Sequence, residues 1–213
     1  MPGPDDRRPP GHAVRRVEEA DVATLVEVLV RAFDDDPIAH YFFRGPNRHR
    51  RGLRRFFDVQ MRREYVATGE AWTTDDLAGA ALWSPPGRPR PGLRDLVRLL
   101  PLVGDLLGVG RDALDVARLL TDVERARPAE PHWYLGVLGT DPPRQGRGVG
   151  SALLGAVLPR VDEEGRPTYL ETSKEENIAF YARHGFAVTG EIDAAHGGPR
   201  LWLMWREPRA PAS

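Results

Sequence analysis

The sequence predicts a single mixed α/β domain, and three observations support that prediction. Its 213 residues suit one domain with a full hydrophobic core, or at most two small ones. Apolar residues alternate between strand and helix periods along the chain, with no internal repeat. Residues 132–150 join an apolar strand to a glycine turn that opens into a helix, which is typical of a sheet flanked by helices.

The composition narrows the functions open to the chain. Its 30 basic and 31 acidic residues give a net charge of −1, so we expect neither nucleic acid nor a membrane as partner. Cysteine is absent, which excludes disulfides, thiolate metal sites and cysteine acyl-enzymes. The histidines lack ligand spacing, and no metal site is predicted. Because no apolar stretch resembles a signal core or a membrane span, we expect a cytoplasmic protein.

The first half of the chain begins with a polar segment, 1–12, that is rich in proline and glycine and is expected to be a disordered tail. A short strand is predicted over 13–17. An amphipathic helix follows over 22–33. The aromatic cluster 40–43 indicates a short helical turn, and 47–68 a second, arginine-rich helix. Its charges are expected to form a solvated face, and a contact with the phosphate of a ligand is the alternative.

A hairpin is predicted next, with strands over 70–74 and 77–84. Residues 93–127 then carry two helical patterns and form an insertion before the following strand. These helices are either part of the core or the wall of an apolar substrate pocket.

The second half alternates strands and helices up to a closing hairpin, and the domain as a whole is expected to span 13–206 with a loose tail over 207–213. The strands are predicted over 133–138, 168–172, 186–192 and 201–205, and the helices from 149 to about 164 and over 177–184.

The glycine turn carries the main chemical signal. The first amides of a helix have no partner inside the helix, and the helix dipole adds partial positive charge there. Glycines let this backbone approach a ligand without a side chain in the way. Residues 144–150 therefore predict an anion cradle, most often for phosphate.

Two common phosphate-binding turns fit the spacing poorly. A P-loop needs Gly-x-x-x-x-Gly-Lys, but Gly139 and Gly146 are too far apart and the lysine is missing. A dinucleotide turn needs Gly-x-Gly-x-x-Gly, and Gly150 follows Gly148 too closely. Glu171 nevertheless stands where a ribose-binding acid would, so the dinucleotide fold remains an alternative, although the turn comes late in the chain.

A third type of turn fits better. Residues 145–150, Gln-Gly-Arg-Gly-Val-Gly, resemble the Gln/Arg-x-x-Gly-x-Gly/Ala motif of the Gcn5-related N-acetyltransferases (GNAT family). Residues 177–186, Asn-Ile-Ala-Phe-Tyr-Ala-Arg-His-Gly-Phe, are similar to that family's second signature. Within the family, Leu-Glu-Thr-Ser at 170–173 and Gly-Pro-Arg at 198–200 resemble the puromycin N-acetyltransferase branch, which has a tyrosine where this chain has Asp36.

The resemblance implies a single-domain GNAT fold, whose mixed and mostly antiparallel sheet of about seven strands is flanked by helices. It also implies an acetyl-CoA-dependent N-acetyltransferase without a metal. The expected acceptor is the primary amine of a small molecule, for example an aminonucleoside antibiotic, and the expected state is a monomer or homodimer. A protein or peptide N-acetyltransferase and a non-catalytic acyl-CoA-binding module are the alternatives.

The resemblance also assigns residues to the site. Tyr181 is the expected general acid for the leaving thiolate, or else a core tyrosine. Asp36, Tyr41 and Trp83 are expected to line the acceptor site. The residues expected to bind acetyl-CoA are Leu138, Gly139, Thr140, Gln145, Gly146, Arg147, Gly148, Val149, Gly150, Ser151 and Asn177.

Glu171 is the expected base because a charge within an apolar strand is costly unless it has a partner or a task. It would act through water or hold the ammonium of the acceptor; the alternative is a strand-end glutamate paired with an arginine. His132, His184 and His196 are weaker candidates, since no two of them have a catalytic spacing.

Overall fold

Seven strands form one continuous sheet in the computed structural model, which describes residues 12–87 and 111–209. Their order in the sheet is β1-β2-β3-β4-β5-β7-β6, and only β4 and β5 run parallel. The strands are β1 (Val14–Arg16), β2 (Ala71–Thr74), β3 (Gly79–Ser84), β4 (Trp133–Thr140), β5 (Thr168–Thr172), β6 (Ala187–Asp193) and β7 (Arg200–Arg206). The mixed, mostly antiparallel sheet confirms the predicted fold class.

The helices flank this sheet on both faces. A 3-10 turn over Glu19–Asp21 precedes the first helix, and a π-helical turn over Met61–Val66 extends the third. The α-helices are α1 (Val22–Ala32), α2 (Pro37–Phe42), α3 (Pro46–Gln60), α4 (Arg111–Ala126), α5 (Val149–Gly155), α6 (Leu158–Glu163) and α7 (Glu176–Arg183).

Each face of the sheet has its own core. On one face, α1, α3 and the π-helical turn bury residues such as Leu29, Phe57 and Met61 against β2–β4. On the other, α5 and α6 bury Leu153 and Val161. A smaller cluster joins α4 and α2 to the β6–β7 hairpin, so the second helix of the predicted insertion packs against the domain.

Two predicted helices differ from the structure. The helix predicted from 149 to about 164 is two short helices, α5 and α6, because Pro159 enters the first turn of α6 and has no amide hydrogen to donate. The helix predicted over 47–68 leaves the α-helical form at Gln60 and continues as the π-helical turn. The tail over 1–11, the first part of the insertion and residues 210–213 lie outside the described residues.

A buried ion pair joins the last strand to α6. The Arg206 guanidinium, only 2% exposed, donates to both carboxylate oxygens of Asp162 at 2.6 and 2.7 Å. Burial acts to raise the pKa of Asp162, but the hydrogen bonds and charge of Arg206 outweigh it and lower that pKa. Ionised Asp162 therefore stabilises the fold above its ordinary pKa, and this contribution is lost as the pH falls through the lowered value.

We expect Asp162→Asn to lower the free energy of unfolding by about 3 kcal/mol at pH 7, because it leaves the Arg206 guanidinium buried without its counter-ion. Urea denaturation measures the change. Glu27→Gln is the matched control, since Glu27 pairs with Arg54 where both side chains are about half exposed, and we expect a loss below about 1 kcal/mol. Equal losses in the two variants would contradict this account of the buried pair.

Candidate active site

The site lies where two central strands separate. β4 and β5 pair only through Trp133 with Thr168 and Tyr134 with Tyr169. Beyond Tyr134 and Tyr169 each strand keeps its other neighbour, β3 or β7, and a cleft opens between them. The cavity there has a volume of about 900 Å³ and extends from the glycine turn to α2, α3 and α4.

A bulge in β4 marks the point of separation. Leu82 pairs with Val137, but Trp83 pairs with Leu135, so Gly136 is an extra residue on β4. A Cβ at Gly136 would clash with the Tyr65 hydroxyl oxygen, so a larger residue here would require the Tyr65 side chain to move. Tyr65, from the π-helical turn, therefore rests directly on the bulged backbone.

The glycine turn opens one end of the cleft. Gly146 and Gly148 have φ angles of +71° and +87°, and no atom lies within 4 Å of a Cβ built on either. α5 begins at Val149, so the amides of its first turn have no partner within the helix. The Gly150 Cα hydrogen faces the Phe180 ring, where a Cβ would approach to 3.1 Å. An open, amide-lined turn fits the pyrophosphate of a coenzyme.

Neighbouring contacts hold this turn in place. Arg31 of α1 donates to both oxygens of Asp141, each at 2.8 Å, and so fixes the end of β4. The Gln145 amide donates to the Thr140 carbonyl at 3.2 Å, which folds the turn back on the strand. Among the predicted coenzyme residues, the structure places only Arg147 outside the cleft lining.

Tyr181 lies on α7, next to Phe180, whose ring contacts the turn at Gly150. It lines the cleft and is 7% exposed. Its ring packs against Phe180 and Phe186, with centroids 5.1 and 5.8 Å away. Burial, and secondarily the negative charge of Asp36, raise the pKa of the Tyr181 phenol above its ordinary value. The phenol is therefore fully protonated at physiological pH.

Asp36 lines the cleft at the N-terminus of α2. Its carboxylate accepts the amides of Ile38 and Ala39, at 2.9 and 3.2 Å, and so caps that helix. It also accepts the Ser173 hydroxyl at 2.9 and 3.0 Å, which ties α2 to the end of β5. Burial raises the pKa of Asp36, although these hydrogen bonds oppose the shift. Asp36 thus has a structural role beside any contact with an acceptor.

Glu171 is buried at the bottom of the cleft beside an arginine. The Glu171 and Arg127 side chains are 10% and 12% exposed, and Oε1 of Glu171 lies 3.7 Å from Nε of Arg127. The Arg127 guanidinium also lies 5.0 Å from the centre of the Tyr134 ring and 3.1 Å from the Glu124 carboxylate. The arginine partner that the sequence left as an alternative is present, inside the cleft rather than on a surface.

Of three further residues predicted for the site, the structure places one in the cleft lining and two outside it. Asn177, the second residue of α7, lines the cleft, and its amide donates to Thr172 Oγ1 at 3.2 Å. Trp83 is 0% exposed in the core under α5 and α6, so its assignment to the acceptor site is wrong. Tyr41 is turned away, with its hydroxyl donating to the Ala195 carbonyl at 3.3 Å, and that assignment is also wrong.

Sequence reasoning missed the residues that complete the buried end of the cleft, Tyr65, Arg127, Tyr134 and Ser173. Only Ser173 and Tyr134 had a signal, since both stand within or beside motifs. Arg127 and Tyr65 lie on elements far from the motifs and reach the cleft only through the fold. Burial raises the pKa values of Tyr65 and Tyr134, so both phenols are protonated.

The histidines do not contribute to this cleft. His132 is fully buried, His196 pairs with Asp115 at 3.0 Å, and His184 bonds Ser151 Oγ at 3.1 Å outside the lining. Among residues 12–87 and 111–209, no group of acidic residues and histidines has the arrangement of a metal site. Over the same residues, every helix is too short or too polar to cross a membrane.

Comparison with known proteins gives one family match. A model described as the acetyltransferase (GNAT) family matches residues 38–186, more than half of the chain. An uncharacterized N-acetyltransferase of Schizosaccharomyces pombe is 28% identical over 207 residues, covering 92% of this chain and 83% of that protein.

Solved structures give the same fold. A Corynebacterium glutamicum structure, described as histone acetyltransferase HPA2 and related acetyltransferase, is 28% identical with a TM-score of 0.70, covering 94% of this chain and 98% of that one. A mosquito arylalkylamine N-acetyltransferase-like protein is 12% identical with a TM-score of 0.62, covering 92% and 99% of the two chains. The second likeness concerns the fold alone.

We expect Gly148→Ala to weaken the binding of acetyl-CoA about tenfold, because a residue with a Cβ at this positive φ is strained by about 1–2 kcal/mol and shifts the turn. Titration calorimetry measures the affinity. The control is Gly155→Ala on the same helix, where a Cβ meets no atom within 4 Å; affinity should stay unchanged there. Full affinity in Gly148→Ala would show that the turn does not hold the coenzyme.

Proposed function

Because the chain belongs to the acetyltransferase (GNAT) family, we propose that it transfers acetyl from acetyl-CoA directly to the primary amine of a small molecule. GNAT enzymes use acetyl-CoA and act on amines of small molecules or peptides. One observation carries the proposal. A single cleft between β4 and β5 joins the open glycine turn to a buried carboxylate, Glu171, and a protonated phenol, Tyr181.

The coenzyme is proposed to lie along β4. The amides at the start of α5 receive its pyrophosphate, and the dipole of the helix adds to the attraction. The backbone of 138–140, which β5 leaves unpaired, accepts the pantetheine arm as a further strand would be accepted. A backbone amide near Leu138 then polarises the thioester carbonyl, and one such donor typically contributes ~10²–10³ in rate.

The acceptor amine is proposed to meet Glu171. An alkyl ammonium has a pKa of about 10.4 and cannot attack until it loses a proton. The Glu171 carboxylate holds the ammonium in place or removes this proton through a water molecule. Arg127 neutralises part of the carboxylate's charge, which offsets the cost of burying it before the amine arrives.

The leaving thiolate is proposed to meet Tyr181. As the amine nitrogen bonds to the carbonyl carbon, the carbon–sulfur bond breaks and the sulfur takes up negative charge. A thiol has a pKa of about 8.5, and that of Tyr181 lies above the ordinary phenol value of about 10, so complete proton transfer is uphill. Tyr181 therefore donates a hydrogen bond to the sulfur while the bond breaks. The attacking nitrogen loses its second proton once the carbon–nitrogen bond has formed, and this proton ends on the sulfur, so the products are the amide and the free thiol.

The helices around the acceptor end of the cleft favour a small acceptor over a folded protein. α4 packs on α2 and the β6–β7 hairpin, and its residues line the cleft beside Glu171. An aminonucleoside antibiotic is one acceptor to test, because the puromycin branch remains a prediction from the motifs at 170–173 and 198–200. A peptide amine is the second candidate, favoured by the 28% identity to the structure described as a histone acetyltransferase.

The proposal is tested by following thiol release from acetyl-CoA with a panel of small amines, an aminonucleoside and an amino-terminal peptide. Release with small amines supports the proposal. Release with the peptide alone would instead support a peptide amine as the acceptor. Coenzyme binding without release for every acceptor would indicate a non-catalytic acyl-CoA-binding module.

We expect Tyr181→Phe to lower kcat about 100-fold with little change in the KM for acetyl-CoA, because phenylalanine keeps the contacts with Phe180 and Phe186 but cannot donate to sulfur. Steady-state kinetics measure both constants. Tyr41→Phe is the control, as it removes a hydroxyl outside the cleft. Unchanged kcat in Tyr181→Phe would remove Tyr181 from the chemistry.

We expect Glu171→Gln to lower kcat/KM for the amine about 100-fold at pH 7, while acetyl-CoA affinity stays unchanged. The deficit should shrink as the pH approaches about 10, where the amine is already neutral. A pH profile of kcat/KM measures this, with exposed Glu163→Gln as control. A deficit that is constant with pH would assign Glu171 a structural role only.

A further inference from the structure

The acceptor end of the cleft is lined by apolar side chains from three helices and from the residue that follows a fourth. They share one property: each is half-buried, with its remaining surface in the cavity, whereas the residues behind them are packed into the core. They are Phe33, which follows α1, Ile38 and Phe42 on α2, Phe56 on α3, and Leu120 and Val123 on α4.

The exposed parts of these side chains form an apolar wall that a ligand can cover. Phe42 packs partly against both the α1–α3 core and the α4 cluster, so the wall is continuous from α3 to α4. Each additional methylene of a ligand removed from water against such a wall strengthens its binding about fourfold. A ligand that presents only polar groups here would gain nothing from the wall.

More acids than bases line the cleft beside this wall. The acids are Asp35, Asp36, Glu124 and Glu171, and the bases are Arg127 and Lys174. Arg127 lies near both Glu124 and Glu171, and Lys174 pairs with Asp35 at 2.5 Å. Four carboxyl groups and two cations leave an excess of negative charge, which favours an ammonium and disfavours a carboxylate on the acceptor.

We infer that the acceptor is a primary amine joined by a short linker to an aromatic or branched aliphatic body without an anionic group. This inference rests on the proposed acetyl transfer. The ammonium meets Glu171, and the body lies against Phe42, Phe56 and Leu120. The apolar wall and the excess of negative charge together set this specificity.

The same geometry disfavours two other classes of amine. The second ammonium of a polyamine would leave water for the surface formed by Phe33, Phe42 and Val123, whose side chains accept no hydrogen bond. A peptide would place its backbone amides against that same surface and lose their hydrogen bonds to water.

A matched series of acceptors tests the inference in the full-length protein. Thiol release is measured with ethylamine, butylamine, phenethylamine, putrescine and a short peptide. We expect kcat/KM to rise about fourfold for each methylene from ethylamine to butylamine, and phenethylamine to exceed putrescine at least tenfold. A higher kcat/KM for putrescine or for the peptide overturns the inference while leaving acetyl transfer intact.

Two leucines on the same helix supply the variants. Leu120 lines the cleft, whereas Leu114 is 65% exposed outside it. We expect Leu120→Ala to lower kcat/KM about tenfold for phenethylamine but less than threefold for ethylamine, and Leu114→Ala to change neither. Equal effects of Leu120→Ala on both amines, with the melting temperature unchanged, overturn the inference. Absence of thiol release with every acceptor defeats the proposed function itself, and the inference with it.

Discussion

The separation of β4 from β5 is the constraint on which the rest of the structure depends. Two parallel strands in the middle of a sheet normally satisfy each other's backbone, but here pairing stops after Tyr134 and Tyr169. Each buried backbone group left without a partner costs about 1–3 kcal/mol. The bulge at Gly136, with Tyr65 resting on it, holds the strands apart despite this cost. The unpaired edge of β4 is the surface on which we propose that the coenzyme binds, and the glycine turn lies at its end.

The same separation explains why a charged cluster lies at the centre of the domain. Glu171 stands on the part of β5 that faces the gap, where an isolated carboxylate would be costly. Arg127, at the end of α4, provides the compensating charge and stacks over Tyr134. Being paired with arginine and acting on an acceptor are therefore compatible roles for Glu171. The pairing also connects α4 to Glu171, so the proposed function makes this helix part of both the acceptor wall and the surroundings of the base.

Sequence patterns predicted most of the elements but fewer of the acceptor contacts. β5 was predicted with its observed bounds because its period and its flanking breakers are local. Trp83 was misassigned because β3 is buried on both faces, so no alternation indicates which face a residue takes. Tyr41 was misassigned by one helical position: its neighbour Phe42 lines the cleft instead. Arg127 could not be found at all, since only the packing of α4 brings it to Glu171.

The proposed reaction needs a negative charge on the amine side and a bound proton on the thiol side, and the cleft holds a group for each. The amine side needs a negative charge, which Arg127 helps to keep in a buried place. The thiol side needs a proton that is not lost at neutral pH, and burial beside Asp36 raises the pKa of Tyr181 so that its proton stays. A weaker acid transfers that proton less readily, so Tyr181 is suited to stabilising the sulfur as charge develops, not to protonating it in advance. Asp36 also caps α2 and accepts the Ser173 hydroxyl. The carboxylate that raises the pKa of Tyr181 therefore also holds α2, the helix that carries part of the apolar wall.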